Sequence, residues 1–218
     1  MKIVITSATK FEVRPLKELV KSKDWQNIRF HDAGVGILQS TFSIQKMMWA
    51  EKPDFIIQVG IAGTFDSNCI LGDVVLVEEE FLGSCGVEEN GEWLDIFNLN
   101  LLQPNYAPFQ KTGLKNPFTE KYNLLQLPAI KAITIDEIST NKERIDKLKN
   151  KYECKIESME GAALHYCGLQ YQIPFLQIRG VSNYVGERNK QNWKIDEAIN
   201  NACQKVFKLL GILSQVEL

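Results

Sequence analysis

The sequence is poor in several features that mark whole classes of protein. Lys and Arg number 25 against 27 Asp and Glu, so the chain lacks the basic excess that binds nucleic acid. No apolar run approaches the roughly 20 residues of a membrane span. The N-terminal stretch 2–8 is too short and too β-branched for the core of a signal peptide. We therefore expect neither a nucleic-acid nor a membrane partner.

Cysteine and histidine are sparse and scattered as well. The 5 cysteines include no C-x-x-C pair, which argues against a disulfide framework or a zinc site and favours a reducing, cytoplasmic compartment. The 2 histidines, His31 and His165, lie far apart in the chain. We interpret His165 as a core residue with a satisfied hydrogen bond. We expect no metal ion and no other cofactor.

What the chain does contain is an alternation of strand and helix patterns. With 218 residues, 44% of them hydrophobic, it can bury the core of one large domain spanning 1–218. Strands that alternate with helices predict an α/β fold with a largely parallel sheet. The predicted strands are 2–8, 27–34, 54–63, 73–82, 129–138, 154–158 and 174–183, and the predicted helices are 10–23, 36–52, 141–153, 159–169 and 193–213.

The segment 90–127 departs from this alternation. It combines several prolines with the aromatic residues Trp93, Phe97, Tyr106, Phe109, Phe118 and Tyr122. A long aromatic loop in a compact domain is usually functional or an interface. An insertion that packs its own aromatic side chains is the alternative, and the sequence favours neither.

Polar residues and glycines occur where the predicted strands end. In open α/β sheets, ligands bind beyond the carboxyl ends of the strands, so groups from separate segments can converge on one crevice. The groups at these ends are Thr6, Ser7, Thr9 and Glu12 after the first strand, the glycines of 34–36 and 60–63, Glu160 after the short strand, and Ser182 with Asn183 in the last.

Each of these residues also has an ordinary structural explanation. The glycines suit tight strand-to-helix turns, Glu12 suits the exposed first turn of a helix, and Asn183 suits a turn. Glu160 begins a helix that is otherwise apolar, so its carboxylate needs partners, either the amides of its own helix or hydroxyl groups of a ligand. Arg179 lies within an apolar strand and needs a buried acceptor, for which Glu160 or Glu12 is a candidate.

Six short motifs stand in a particular order along the chain. They are Glu12 after the first strand, G-V-G at 34–36, V-G-x-A-G at 59–63, G-D-V-V at 72–75, S-M-E-G-A-A at 158–163 and R-x-x-S-N at 179–183. Together they resemble the purine nucleoside phosphorylase and nucleosidase superfamily over nearly the whole chain. The resemblance implies a single-domain, three-layer α/β/α fold with a central mixed sheet, and a small-molecule nucleoside substrate.

Within that superfamily, the chain is similar in size to bacterial methylthioadenosine/adenosylhomocysteine nucleosidases, which cleave the N-glycosidic bond with water. Those enzymes have Asp where this chain has Asn183, and they and the hexameric phosphorylases have a hydroxyl residue where it has Ile61. Ile61 offers phosphate no side-chain donor, although Lys10 and Arg14 remain nearby. The combination G-I-A-G, S-M-E-G-A-A and S-N-Y-V-x-x-R resembles futalosine hydrolases, which release hypoxanthine from futalosine in the alternative menaquinone pathway.

The resemblance implies a role for each residue of the predicted site. Glu12 acts as general base on the attacking water, and Asn183 stabilises the departing purine through O6 and N7. The substrate-binding residues are Glu160 at the ribose hydroxyls, Met159 beneath the ribose, Gly60 and Ile61 at the strand end, Ile138 at the base, and Arg188 at the benzoate carboxylate of futalosine. We expect the aromatic loop from Trp93 to Phe109 to supply an apolar slot for that benzoate.

Other interpretations remain open. A methylthioadenosine/adenosylhomocysteine or aminodeoxyfutalosine nucleosidase would release adenine, a nucleoside phosphorylase would need phosphate, and a non-catalytic nucleoside-binding protein would dispense with Glu12. A Rossmann dinucleotide site is not supported, because G-V-G-I-L-Q lacks the third glycine. An exposed salt bridge is the alternative for Arg188. We expect a homodimer, with Met47, Met48 and Trp49 either at its interface or in the core.

Overall fold

The computed structural model describes residues 1–215, and residues 216–218 of the predicted domain lie outside the described residues. Its elements follow the predicted order. The strands are β1 (Ile3–Ser7), β2 (Ile28–Asp32), β3 (Phe55–Thr64), β4 (Val74–Leu82), β5 (Gly86–Glu89), β6 (Glu92–Asp95), β7 (Leu114–Lys115), β8 (Ala129–Thr134), β9 (Ile156–Ser158) and β10 (Phe175–Tyr184). The helices are α1 (Lys10–Lys21), α2 (Ile37–Glu51), α3 (Thr119–Tyr122), α4 (Lys142–Tyr152), α5 (Gly161–Tyr171) and α6 (Ile195–Leu213), with a 3-10 turn at Lys190–Asn192.

The central sheet is mixed, and part of it closes on itself. β1 pairs in parallel with β2 and β3, and β3 pairs in parallel with β10. β10 runs antiparallel to β4, β4 runs parallel to β8, and β9 pairs in parallel with β8 and antiparallel with β3. β3, β10, β4, β8 and β9 therefore form a closed ring, from which β1 and β2 extend as an open flank. The predicted mixed sheet is confirmed.

Two helical layers cover this sheet, and the alternation of side chains along a strand decides which layer each residue meets. Ile3 and Ile5 of β1 belong to the apolar cluster that includes α1 and α6, whereas Val4 packs with α2 and α5. Helix α6 presents a continuous apolar stripe to the first cluster. The three-layer α/β/α architecture is therefore confirmed. Within residues 1–215, none of the helices is both long and apolar enough to cross a membrane.

Helix α2 has two apolar faces. Met47 and Met48 are buried against the sheet and α5, so the core explanation holds for both methionines. Leu38, Phe42 and Trp49 stay 87%, 69% and 77% exposed. Trp49 thus remains available for an interface, and it has two large apolar neighbours that the sequence analysis did not single out.

The aromatic insertion 90–127 packs most of its rings onto the protein itself. Trp93, Phe97 and Phe109 are buried. Phe97 and Phe109 meet edge to face with 5.2 Å between ring centroids, and the indole N–H of Trp93 donates to the Tyr152 hydroxyl at 3.1 Å. The structure therefore supports the self-packing interpretation of this segment.

Several strands end at the same edge of the sheet. Because β1, β2, β3 and β10 are parallel, their carboxyl ends lie together. β9 runs antiparallel to β3 with Glu157 opposite Gly63, so the residues that follow β9 run back along β3 toward Gly60. This arrangement brings the polar groups predicted at separate strand ends to one side of the molecule.

Candidate active site

A cavity of about 360 Å³ opens at this edge of the sheet. A volume in this range is typical of small-molecule sites. Seven of the eight predicted site residues line it, namely Glu12, Ile61, Ile138, Met159, Glu160, Asn183 and Arg188. The structure thus brings together residues from both ends of the chain, while the role of each stays a prediction.

Glu12 lies at the third position of α1 and turns back over the start of the helix. Its Oε2 accepts hydrogen bonds from the Thr9 backbone N–H at 3.0 Å and from the Thr9 hydroxyl at 3.1 Å, as in a helix capping box. Its Oε1 accepts a hydrogen bond from the Ile61 backbone N–H at 3.3 Å. The alternative of an exposed first-turn residue is wrong, because Glu12 is buried and lines the cavity.

Gly60 lies behind Glu12 and is absent from the cavity lining. A Cβ at this position would come within 2.7 Å of Glu12 Oε1 and 2.5 Å of Arg179 Nη1. Gly60 is inside β3, so close approach explains the glycine, whereas the turn explanation holds for Gly34 and Gly36 with φ of 87° and 85°. Gly60 therefore has a positioning role, because it makes room for the Glu12 carboxylate and the Arg179 guanidinium, while its predicted contact with the substrate stays a prediction.

Glu160 is the N-cap residue of α5, and its carboxylate is held from outside that helix. Its Oε1 accepts a hydrogen bond from the Gly36 N–H at 3.2 Å, and its Oε2 lies 3.9 Å from Nη1 of the buried Arg179. Arg179 donates through Nη2 to Gln58 Oε1 at 3.0 Å. Burial raises the pKa of Glu160, and the charge of Arg179 opposes that shift. Of the two acceptors predicted for Arg179, Glu160 or Glu12, the structure pairs it with Glu160.

Asn183 lies in β10 beside Gly63 of β3. The Ser182 hydroxyl donates to Asn183 Oδ1 at 2.8 Å, and Asn183 Nδ2 donates to the Tyr184 carbonyl at 3.1 Å. These bonds fix which end of the amide carries the NH₂ group, and they leave one N–H and one Oδ1 lone pair for a ligand. The turn explanation is wrong for Asn183, because it lies within a strand.

Arg188 lies at the cavity, whereas the aromatic insertion lies elsewhere. Arg188 is exposed at the cavity rim, with its guanidinium 5.3 Å from the centre of the Trp193 ring. Among the described residues, none from 90–127 lines the cavity. The prediction that the loop from Trp93 to Phe109 supplies a benzoate slot is therefore wrong for this chain, because those rings are used in packing.

The phosphorylase superfamily matches the chain over residues 2–214. The chain belongs to this superfamily. A futalosine hydrolase from Thermus thermophilus is 27% identical over 181 residues, which cover 83% of this chain and 80% of that protein. A 5′-methylthioadenosine/S-adenosylhomocysteine nucleosidase from Colwellia psychrerythraea is 25% identical over 240 residues, covering 98% and 97% of the two chains. The solved structure of a futalosine hydrolase mutant from Helicobacter pylori has a TM-score of 0.81 at 15% identity, covering 97% and 99%.

These relatives confirm the superfamily and the enzyme class that the sequence predicts. They are hydrolases or nucleosidases, so the prediction of an N-glycosyl hydrolase is confirmed. The solved structure, at 15% identity, shows a similarity of fold alone, and it confirms the predicted nucleoside phosphorylase-like α/β architecture.

The cavity contains a further carboxylate, Glu157, that was not predicted from the sequence. Glu157 in β9 lines the same cavity, although only 7% of its surface is exposed. Burial raises the pKa of Glu157 to about 7, while hydrogen bonding from Ser139 and the charges of Arg144 and Arg188 act in the opposite direction. The sequence did hold a signal, because a glutamate inside a short apolar strand needs a partner for the same reason as Glu160.

Buried polar groups hold the start of α5, the helix that follows Glu160. Glu80 Oε1 accepts a hydrogen bond from the Thr134 hydroxyl at 2.7 Å, and the Thr134 oxygen accepts one from the Ala162 N–H at 2.8 Å. A side chain at Gly161 would collide with the Glu80 carboxylate, so this glycine admits a charged group at the start of α5. His165 donates from Nδ1 to a backbone carbonyl at 2.8 Å, which confirms its predicted place in the core.

Proposed function

We propose that this enzyme hydrolyses the N-glycosidic bond of futalosine, releasing hypoxanthine and leaving dehypoxanthine futalosine, a step of menaquinone biosynthesis. The observation that carries the proposal is Asn183, an amide held by Ser182 in the wall of a cavity that also contains Glu12 and Glu160. The 27% identical futalosine hydrolase supports it. The cytoplasm is the proposed compartment, because all five cysteines are free thiols.

The amide of Asn183 matches one edge of a 6-oxopurine. Hypoxanthine presents an acceptor at O6 and, when N7 is protonated, a donor beside it. The free N–H of Asn183 Nδ2 can donate to O6, and the remaining lone pair of Oδ1 can accept from N7–H. Adenine carries an amino donor in place of O6, so the two N–H groups would face each other. A buried polar group left unpaired in this way costs about 1–3 kcal/mol, or roughly tenfold to a hundredfold in rate.

The two buried carboxylates act on the sugar. Cleavage of the C1′–N9 bond sends its electron pair to the base and leaves positive charge on the ribose. Glu160, held by Gly36 and Arg179, binds the 2′ and 3′ hydroxyls and stabilises that charge. Met159, which lines the cavity beside it, packs beneath the ring.

Glu12 is the proposed general base for the attacking water. The helix cap holds its Oε2 and the Ile61 amide holds its Oε1, so the carboxylate has a fixed position at the cavity wall. Water adds its oxygen to C1′ and gives a proton to Glu12, while the departing base takes up a proton from solvent. One water molecule is consumed overall.

The residues near the start of α1 favour water over phosphate as the acceptor. Phosphate sites need hydroxyl, amide or guanidinium donors, and Ile61 lines the cavity without a side-chain donor. Lys10 Nζ lies 3.9 Å from Asp32 Oδ2, and Arg14 Cζ lies 5.9 Å from the centre of the Phe11 ring. Neither of these cations lines the cavity.

Arg188 is the proposed partner of the benzoate carboxylate. It is exposed at the rim and stacked over Trp193, which leaves its N–H groups open to an incoming anion. Ile138, also exposed at the cavity, is proposed to contact the base. We expect Arg188→Ala to raise KM for futalosine and to leave KM for inosine, which lacks the benzoate, nearly unchanged.

The experiment that tests the proposal identifies the released base. Purified enzyme is incubated with futalosine, aminodeoxyfutalosine and 5′-methylthioadenosine, each with and without phosphate, and the products are identified by mass spectrometry. We expect hypoxanthine from futalosine at the same rate in both buffers. Release of adenine only, or a requirement for phosphate, would contradict the proposal.

A nucleosidase acting on 5′-methylthioadenosine or S-adenosylhomocysteine is the second candidate. It is favoured by the Colwellia psychrerythraea relative, which matches 98% of this chain at 25% identity. The amide of Asn183 argues against this second candidate, because adenine lacks the acceptor that the Asn183 NH₂ group requires. The base-release experiment separates the two candidates.

We further propose that the enzyme forms a homodimer through the outer face of α2. Leu38, Phe42 and Trp49 expose large apolar side chains there, and contiguous apolar patches commonly mark interaction sites. Val35, which precedes this helix, is exposed as well and lines the cavity. A partner bound to this face would therefore lie next to the cavity mouth.

A further inference from the structure

Glu157 has no part in the mechanism above, yet it is the third carboxylate of the same cavity. Its Oε1 accepts a long hydrogen bond of 3.4 Å from the Ser139 N–H. Its Oε2 is buried and has no hydrogen-bond partner among the described residues. A buried carboxylate oxygen without a partner is costly, so this position calls for a ligand that brings a donor.

Strand register places Glu157 and Asn183 on either side of one glycine. Glu157 is opposite Gly63 across β9 and β3, and Gly63 is opposite Asn183 across β3 and β10. Directly paired residues point to the same face of a sheet, and neighbouring strands are about 4.8 Å apart, so the two side chains start from backbones about 10 Å apart. The space above Gly63 is already occupied, since a Cβ there would come within 3.1 Å of Asn183 Nδ2 and Val185 Cγ2. The amide of Asn183 therefore lies over the glycine that pairs with Glu157.

The edge of a 6-oxopurine carries its hydrogen-bonding groups in an order that fits the positions of Asn183 and Glu157. O6 lies between N7 on one side and N1–H on the other, so residues that bind N7 and N1 must lie on either side of O6. Asn183 is assigned to O6 and N7 in the proposed function. Glu157, across Gly63, is then the group next to N1–H.

We propose that the Glu157 carboxylate accepts a hydrogen bond from N1–H of the purine and thereby selects a 6-oxopurine base. The inference rests on the proposed function, since it takes the orientation of the base from Asn183. Adenine has a lone pair at N1, which repels the Glu157 carboxylate where it is ionised, at a pH above its pKa of about 7. Two residues, Asn183 and Glu157, would therefore discriminate against adenine at separate positions on the base.

A purely structural role is the rival explanation for Glu157. The bond from Ser139 could fix the turn after β8, and Arg144 and Arg188 supply positive charge nearby. Removing Glu157 for that reason would weaken binding of every purine alike. If Glu157 contacts N1–H, the affinity lost on removing Glu157 depends on whether the base carries a hydrogen at N1.

The test compares hypoxanthine with 1-methylhypoxanthine, in which a methyl group replaces the N1 hydrogen. Binding of each free base to the full-length protein is measured by calorimetry at pH 8 for wild type, Glu157→Ala and Glu157→Gln. A hydrogen bond to a charged group is worth about tenfold to a hundredfold in affinity, so wild type should prefer hypoxanthine by that factor. The preference should fall to within about threefold in Glu157→Ala and lie between these values in Glu157→Gln.

Glu137→Ala is the control, because Glu137 is an exposed glutamate on the turn after β8 and does not line the cavity. It should keep the wild-type preference. An unchanged preference in Glu157→Ala, or in Glu157→Gln if the alanine variant does not fold, overturns the inference while the proposed function stands. Failure of wild type to bind hypoxanthine, with adenine bound instead, overturns the proposed function and the inference with it.

Discussion

A Gly60→Ala substitution would add one methyl group in a space that two charged side chains already occupy. The new Cβ would lie 2.5 Å from Arg179 Nη1 and 2.7 Å from Glu12 Oε1, whereas ordinary contacts begin at 3.4 Å. Both groups must therefore withdraw by roughly 1 Å, a misplacement that can cost about a hundredfold in rate. Arg179 cannot withdraw freely, because it is fully buried and bonded to Gln58.

We expect kcat of Gly60→Ala to fall about a hundredfold and its free energy of unfolding to fall by about 1–3 kcal/mol, the usual cost of overpacking. Base release reports kcat, and denaturant unfolding reports stability. Gly211→Ala in α6 is the matched control, since no atom of residues 1–215 outside the adjoining helix lies within 4 Å of its Cβ position. It should keep wild-type kcat and gain up to about 1 kcal/mol. A folded Gly60→Ala enzyme with wild-type kcat would refute the positioning role of this glycine.

Three further predictions follow from the site and its surroundings. Asn183→Asp should release less hypoxanthine and more adenine from matched nucleosides, and an unchanged base preference by mass spectrometry would count against the assigned contact with O6. Burial raises the pKa of Glu80 from 4.5 to about 7, so its contribution to stability is present below pH 4.5 and lost as the pH rises to 7. Glu80 should account for a fall of about 3 kcal/mol in the free energy of unfolding over that interval. Glu80→Gln should remove this part of the fall and leave the part due to Glu157, whose pKa is also raised to about 7; equal pH dependence of wild type and Glu80→Gln in denaturant titrations would contradict this. Phe42→Glu should convert the proposed homodimer to monomer in sedimentation experiments, and a monomeric wild type would refute the interface.

The meeting of distant residues at one cavity was predictable from the sequence. Parallel strands end at a common edge, so Glu12 after β1 and Asn183 at the end of β10 had to lie near each other once the strands were recognised. Burial of Glu160 was predictable too, because the helix that follows it is apolar. The partners of Glu160 could not be predicted, because Gly36 and Arg179 come from separate segments that are brought to Glu160 only by the complete sheet.

The closure of the sheet could not be predicted. It depends on β9, a strand of three residues that pairs with β8 on one side and antiparallel with β3 on the other. Nothing in the pattern of I-E-S distinguishes this double pairing from a short loop. Without it, the position of Glu157 across Gly63 from Asn183 stays hidden, which is why that carboxylate was missed.

The roles of the glycines and of the aromatic insertion could not be predicted from the sequence either. Gly34 and Gly60 look alike in sequence, yet the first adopts a positive φ in a turn and the second makes room for side chains within a strand. Likewise, a run of aromatic residues suits a binding slot as well as a small core. Only the contacts of Trp93, Phe97 and Phe109 with their neighbours decide for the core.

The Glu12→Gln enzyme provides the most direct measurement of the central claim, that Glu12 activates water against a nucleoside held by Glu160 and Asn183. Glutamine at this position can still cap α1, so the fold and the cavity should persist. We predict that the affinity for futalosine stays within about threefold of wild type while kcat falls by about a hundredfold or more, the usual contribution of a general base. Glu18→Gln, at an exposed position of the same helix, should match wild type. Near-normal turnover in Glu12→Gln would contradict the account.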